Sequence, residues 1–272
     1  AEWFQNFSEF PAETPVTWSG DFLQDVLDRV VFCISDDDAT DAITCLYMKP
    51  CGNGRIDVCG LNGHQFALVS FTHDDLAARL PEEGGLIQKK YLQDMKKWLG
   101  VDEIELNITD KRLYLRTLDG AESLSVPRAG HDYPDYTVFM SRLEGDGVSL
   151  LTVNRKEAIE ALGRIQIFNT DSDRCAYLDL GDNEVRLSAQ GQDTGSANES
   201  LEVTYRGDIS RIAFPTRNLM DVLGHFTSPS VDMILTGAEG PCGIRGAEDN
   251  EYTVIIMPMK ISESTYYSEE DV

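Results

Sequence analysis

The sequence has 272 residues, 42% of them hydrophobic and 9% aromatic, and its formal net charge is −24. This composition is sufficient for the buried cores of two ordinary domains and excludes a chain that is disordered throughout. No run approaches the roughly 20 apolar residues that cross a bilayer, so no membrane association is predicted. The six cysteines form no CxxC pair, which favours reduced thiols in a cytoplasmic protein and predicts no metal site or cofactor.

The first half of the chain predicts a helix, several strands, a second helix and further strands. An amphipathic helix begins after Ser19, because apolar residues recur there on one helical face. A second helix is predicted over residues 89–99, where Gly100 is a typical C-terminal stop. The predicted strands of this half are residues 43–48, 55–60, 66–71, 103–108 and 112–116.

The second half repeats that order of elements. Asn154, followed three residues later by Glu157, predicts a capped helix start, and another helix is predicted over residues 216–226. The predicted strands are residues 176–180, 184–189, 200–205, 231–236, 242–246 and 252–259. The repeat indicates an α+β fold of tandem duplicated domains, each with two helices on one face and antiparallel sheets on the other.

The composition also suggests where the chain divides. A segment rich in glycine and acidic residues lies within residues 142–149 and is typical of a linker. The predicted domains are therefore residues 15–145 and residues 146–262. Residues 263–272 are acidic and predict a disordered tail.

Basic residues cluster on the predicted helices, although the chain as a whole is acidic. Cations near helix N-termini oppose the helix macrodipole, which indicates that this charge serves a partner outside the fold. A basic face on an acidic body favours loose, sequence-independent contact with duplex DNA. The candidate DNA-facing residues are Lys89, Lys90, Lys97, Arg155, Lys156, Arg164 and Arg217. For any one of them, an ordinary solvated helix face is the alternative.

Four short segments carry a resemblance to a known family. They are NGHQFA (62–67), YPDY (133–136), NLMDVL (218–223) and VIIMPMKI (254–261). In this order and spacing, and together with the duplication, they resemble the bacterial DNA polymerase III β subunit, the β sliding clamp family, over nearly the whole chain.

The family's subunit has three such domains, and two subunits close a ring around duplex DNA. The chain resembles the second and third domains, which implies that residues 15–145 are the middle domain and residues 146–262 the C-terminal domain. Residues 1–14 are then expected to be the connector from an absent first domain. We expect the full-length subunit to be a homodimer and this fragment to be mainly monomeric.

The resemblance also implies a groove, between the second and third domains, for short partner peptides rich in Gln, Leu and Phe. The implied partners are the DNA polymerase III α subunit, the clamp loader and other replication and repair proteins. Carried over by position, the groove residues are Leu61, Gly63, His64, Phe66, Pro134, Phe139, Ile255, Met257, Pro258 and Met259. Methionines provide an adaptable apolar surface. Gln65 departs from the arginine that the family often has there. At two rim positions where the family can have Asn and Tyr, this chain has Pro215 and Asn218.

The predicted function is that of a sliding clamp subunit, which tethers DNA polymerase III and other proteins to duplex DNA for processivity. One alternative is a peptide-binding interaction module that does not encircle DNA. A second is an enzyme with Cys59 as nucleophile and His64 as base. The sequence shows neither an oxyanion site nor a third, orienting group for such an enzyme, so no catalytic activity is predicted.

Overall fold

A computed structural model describes residues 8–37, 41–100, 102–170, 173–191 and 195–261. The chain forms two compact units. The first comprises residues 1–136 and 250–255, and the second comprises residues 137–249 and 256–272. The domain limits given above stay predictions, as does the tail, which lies outside the described residues. Residues 1–7 of the expected connector also lie outside them.

The first unit packs two long helices against antiparallel strands. Its helices are α1 (Gly20–Val30), α2 (Asp74–Ala77) and α3 (Lys89–Trp98). Its strands are β1 (Val16–Ser19), β2 (Cys45–Pro50), β3 (Arg55–Leu61), β4 (Gln65–Thr72), β5 (Gly85–Gln88), β6 (Glu103–Ile108), β7 (Arg112–Thr117) and β8 (Ser123–Pro127). Helices α1 and α3 contact each other, and the apolar face of α1 is buried against β3 and β4.

The second unit also packs two long helices against antiparallel strands. Its helices are α4 (Thr137–Arg142), α5 (Arg155–Ile165) and α6 (Thr216–Gly224). Its strands are β9 (Ser149–Asn154), β10 (Cys175–Leu180), β11 (Glu184–Gly191), β12 (Gly195–Arg206), β13 (Arg211–Pro215), β14 (Ser230–Leu235) and β15 (Cys242–Gly246). Helices α5 and α6 contact each other and pack on the strands.

The strand order confirms the predicted duplication. In the first unit the orders are β1-β6-β7-β8 and β5-β2-β3-β4, and β16 (Tyr252–Ile256) lies beside β4. In the second unit β9-β14-β15 corresponds to β1-β6-β7, and β13-β10-β11-β12 corresponds to β5-β2-β3-β4. The pairings among β1 to β8 and among β9 to β15 are antiparallel. The predicted α+β fold with two packed helices in each copy is therefore confirmed.

Several elements differ from the sequence-based expectation. Helix α4 was not predicted, and none of its residues is buried, so no apolar periodicity marks it. The last strand ends at Ile256, earlier than expected, because Pro258 has no N–H for a strand ladder. The backbone N–H of Met259 donates instead to the carbonyl of Ala213 at 2.8 Å. Within the described part of the chain, no helix has the length and apolar character to span a bilayer.

Candidate functional site

A tight turn between β3 and β4 carries two candidate peptide-binding residues, Gly63 and His64. The Asn62 side chain shapes the turn, since its Oδ1 accepts from the backbone N–H groups of His64 (3.1 Å) and Gln65 (2.8 Å). Gly63 has φ 84°, in the region that favours glycine. The turn leaves His64 exposed, and its ring makes no hydrogen bond or ion pair with the described residues.

The remaining candidate residues of the first unit differ in exposure. Pro134 is exposed and Leu61 is half-buried, whereas Phe66 and Ile255 retain only 2% and 4% of their surface. Phe66 stacks on Tyr136, with 5.7 Å between the ring centroids. Phe66 and Ile255 are therefore buried within the unit, and His64 and Pro134 are the candidate residues accessible to a partner.

A buried carboxylate that the sequence did not mark as functional bonds to Tyr136, the residue on which Phe66 stacks. Asp57 in β3 accepts hydrogen bonds from Ser70 Oγ (2.6 Å), Tyr136 Oη (2.7 Å) and Arg55 Nε (3.2 Å). Burial by itself raises the pKa of Asp57, but these hydrogen bonds hold that pKa below its ordinary value. Burial raises the pKa of Tyr136, so its hydroxyl stays protonated and donates a hydrogen bond to Asp57.

The candidate residues of the second unit are mostly accessible apolar groups. Met257 and Met259 are 36% and 45% exposed, while Pro258 and Phe139 are half-buried. The hydrogen bond from the Met259 N–H to Ala213 fixes the backbone of this segment. Flexible thioether side chains on a fixed backbone suit the binding of varied apolar side chains.

The basic residues of helix α3 are only partly available to a partner. Lys89 Nζ donates to the Ile34 carbonyl and pairs with Asp36, both at 2.7 Å. Lys97 lies 3.6 Å from Asp94, in a weak surface pair. Lys90 is exposed, and its Nζ lies 5.0 Å from the Tyr91 ring centroid.

Helix α5 of the second unit begins as predicted. Asn154 Oδ1 accepts from the Glu157 N–H at 3.1 Å, which confirms the capped start of α5. Arg155 Nε donates to the Ser228 carbonyl at 2.8 Å. Arg164 forms a bidentate ion pair with the Glu199 carboxylate, with nitrogen–oxygen distances of 2.8 and 3.1 Å.

Two further cations of the second unit are accessible. Lys156 in α5 and Arg217 in α6 are exposed and have no ion pair or hydrogen bond with the described residues. Together with Lys90 in the first unit, they are the candidate DNA-facing residues without an acidic or carbonyl partner among the described residues.

A second buried carboxylate, Asp249, fixes the loop that contains Thr227 and Ser228. The Ser228 carbonyl of this loop accepts the hydrogen bond from Arg155. Asp249 accepts from Thr227 and Ser228 through both their backbone N–H groups and their hydroxyls, at 2.6–3.1 Å. Burial raises the pKa of Asp249, but these bonds lower it below the ordinary value. A Cβ on Gly246 would overlap Ser228 Oγ, so only glycine fits against this loop.

The geometry does not favour the enzyme alternative. Cys59 is fully buried in β3, and burial raises the pKa of its thiol well above the ordinary value. A neutral, inaccessible thiol is a poor nucleophile. Among the described residues, no group of three or more His, Cys, Asp or Glu side chains is arranged to hold a metal ion.

Comparisons with known proteins agree with the fold and the motifs. Residues 145–260 match the family model for the DNA polymerase III beta subunit, C-terminal domain. The Beta sliding clamp of Pseudomonas aeruginosa is 22% identical over 95% of this chain and 69% of its own length. That of Synechococcus elongatus is 24% identical, over 93% and 69%.

Solved structures show the same fold. The sliding clamp of Caulobacter crescentus superposes with a TM-score of 0.85 at 20% identity, over 96% of this chain and 70% of that one. The chain spans 63% to 69% of the length of its curated relatives. Residues 145–260 therefore belong to the C-terminal domain family of the DNA polymerase III β subunit, and the chain as a whole is a relative of the β sliding clamps.

Proposed function

We propose that this chain supplies two domains of a sliding clamp that encircles duplex DNA and holds replication proteins on it. The observation that carries the proposal is the duplicated two-helix unit, which matches a solved sliding clamp with a TM-score of 0.85. The chain spans about two thirds of the length of its relatives. We therefore include in the proposal that two complete subunits close a homodimeric ring. We expect this chain alone to be mainly monomeric.

The exposed cations are the proposed contacts to DNA. Lys90, Lys156 and Arg217 can approach phosphate groups without breaking an internal bond. A small number of such contacts holds a duplex weakly and without sequence preference, which permits sliding. The acidic remainder of the surface repels DNA.

The accessible apolar residues are the proposed contacts to partner peptides. His64 and Pro134 in the first unit, and Met257 and Met259 in the second, are accessible within their own units. The proposed partners are the DNA polymerase III α subunit, the clamp loader and other proteins with peptides rich in Gln, Leu and Phe. The proposal includes no catalytic step and places the protein in the cytoplasm.

Retention on DNA tests the proposal. The subunit that contains this chain is loaded on nicked circular DNA, and its retention is compared before and after the circle is cut to a linear form. A clamp remains on closed circles and leaves over linear ends, whereas failure to remain on circles would contradict encirclement.

A peptide titration tests the second half of the proposal. We expect His64→Ala and Met257→Ala to weaken the binding of a labelled Gln/Leu/Phe peptide about five- to tenfold, as the loss of roughly 1 kcal/mol of contact energy implies. Unchanged affinity in both variants would contradict the assignment of these residues.

One observation favours the alternative of a peptide-binding module that does not encircle DNA. Lys89, Lys97 and Arg164 pair with carboxylates, and Arg155 donates to a carbonyl, so fewer cations are free to contact phosphate groups. Such a module would bind the peptide and would not be retained on circular DNA, so the two experiments together separate the alternatives.

A further inference from the structure

Asp57 connects parts of the first unit that are far apart in the sequence. Only 6% of its surface is exposed, and it accepts hydrogen bonds from Tyr136, Ser70 and Arg55. A buried carboxylate is costly unless donors fill its acceptor positions. The donors and the segments that carry them are therefore held in a defined arrangement around Asp57.

The first of these segments is residues 133–136. Tyr136 is bonded to Asp57 and stacked on Phe66, and Tyr133 stacks on Tyr47 with 4.4 Å between the ring centroids. Pro134 lies exposed between the two anchored tyrosines. Its position consequently depends on both anchors.

The second segment is β16. Arg55, which donates to Asp57, pairs with the Glu251 carboxylate at 3.2 Å. The backbone N–H of Ser70, whose hydroxyl donates to Asp57, donates to the Glu251 carbonyl at 2.8 Å. Glu251 directly precedes β16, which carries Ile255, so Asp57 is linked to the start of this strand as well.

We propose that Asp57 is a positioning residue for peptide binding, an inference that rests on the proposed function. Being buried, Asp57 does not touch the peptide; it fixes the two backbone segments that carry Pro134 and Ile255. When a binding surface is already ordered, peptide binding does not incur the entropic cost of ordering it. When a segment occupies its binding arrangement only part of the time, the apparent affinity falls by that fraction.

A matched pair of tyrosine variants tests this role. Tyr136→Phe removes the hydroxyl that donates to Asp57. Tyr205→Phe makes the same change in the second unit, where the buried Tyr205 hydroxyl donates to the Ile209 carbonyl at 2.7 Å. We expect Tyr136→Phe to weaken binding of the labelled Gln/Leu/Phe peptide about tenfold, as for a segment positioned about one tenth of the time. We expect Tyr205→Phe to leave that affinity unchanged.

A double-mutant cycle separates positioning from a general structural effect. In an Asp57→Asn background, Tyr136→Phe should weaken peptide binding by no more than about twofold further, because the two changes break the same link. Thermal unfolding of each variant shows whether it is folded. Asp57→Ala, which also removes the acceptor of the Tyr136 hydroxyl, replaces Asp57→Asn in the cycle if the asparagine variant does not fold.

The outcomes distinguish the inference from the function on which it rests. If the wild-type chain does not bind the peptide, the proposed function fails and the inference fails with it. If the wild-type chain binds and Tyr136→Phe binds equally well, the inference alone is overturned. It is also overturned if Tyr205→Phe weakens binding as much, or if the two changes in the cycle are additive.

Discussion

The two units each contain a buried aspartate with a lowered pKa, but the two carboxylates organise their surroundings differently. Asp57 reaches donors on separate segments, among them Tyr136, 79 residues away. Asp249 binds two adjacent residues, Thr227 and Ser228, through both backbone and side chain. One carboxylate joins segments as far as 79 residues apart, whereas these bonds of the other hold two consecutive residues that lie 21 and 22 positions earlier in the chain. Their substitutions should therefore affect different properties.

The largest effect is expected for Asp249→Asn. The amide would direct its own N–H donors at the N–H and hydroxyl groups of Thr227 and Ser228, so several buried bonds would be lost. We expect the free energy of unfolding to fall by about 3 kcal/mol, as for a buried charged group that loses its partners. Urea denaturation measures the change.

The exposed Asp208 in the same unit provides the control for this prediction. Asp208→Asn should change the free energy of unfolding by less than about 0.5 kcal/mol, as is usual for surface substitutions. An Asp249→Asn variant as stable as Asp208→Asn would contradict the role assigned to the loop.

The pH dependence of stability sharpens the same comparison. Both Asp57 and Asp249 have a lower pKa in the folded protein than the ordinary value of 3.8. Their ionised forms therefore stabilise the fold fully above that value, and the stabilisation is lost as the pH falls through the folded-state pKa. We expect the stability gap between wild type and Asp249→Asn to narrow below pH 3.8; a gap that is constant with pH would contradict this assignment.

The smallest effects are expected at the exposed cations. Lys156→Ala should reduce the slope of log affinity against log salt by about one in duplex-DNA binding, since each phosphate contact contributes about 0.9. Arg164→Ala should reduce it by less, because Arg164 is already paired with Glu199. Fluorescence anisotropy at several salt concentrations measures both slopes. Equal slopes for the two variants would show that the internal pair does not limit DNA contact.

The long helices and the duplication were predictable because their signals are local. The apolar face of α1 and the Asn154 cap of α5 lie within a few residues in the sequence. Short elements such as β5 and the surface helix α4 carry too few buried residues to produce a period.

The candidate site was predictable only in part, for a different physical reason. His64 and Met257 lie in motifs that a single sequence displays, whereas the bond between Tyr136 and Asp57 joins residues 79 positions apart. The one available signal was a charged residue between the buried Ile56 and Val58. Such a residue indicates a paired carboxylate without naming its partner. Asp249 lies in a polar loop and carried no comparable signal.

The basic pairs at the helix starts affect how firmly the protein would hold DNA. In both units the first residue of the pair, Lys89 or Arg155, is bonded to a backbone carbonyl, and the second, Lys90 or Lys156, faces solvent. Together with Arg217, the two solvent-facing lysines would make about three phosphate contacts. For three contacts, log affinity falls against log salt concentration with a slope of only about −2.7. DNA affinity with so shallow a slope decreases only gradually as ionic strength rises. The protein would therefore be neither immobilised on the duplex nor abruptly released from it when the ionic strength of the cell changes.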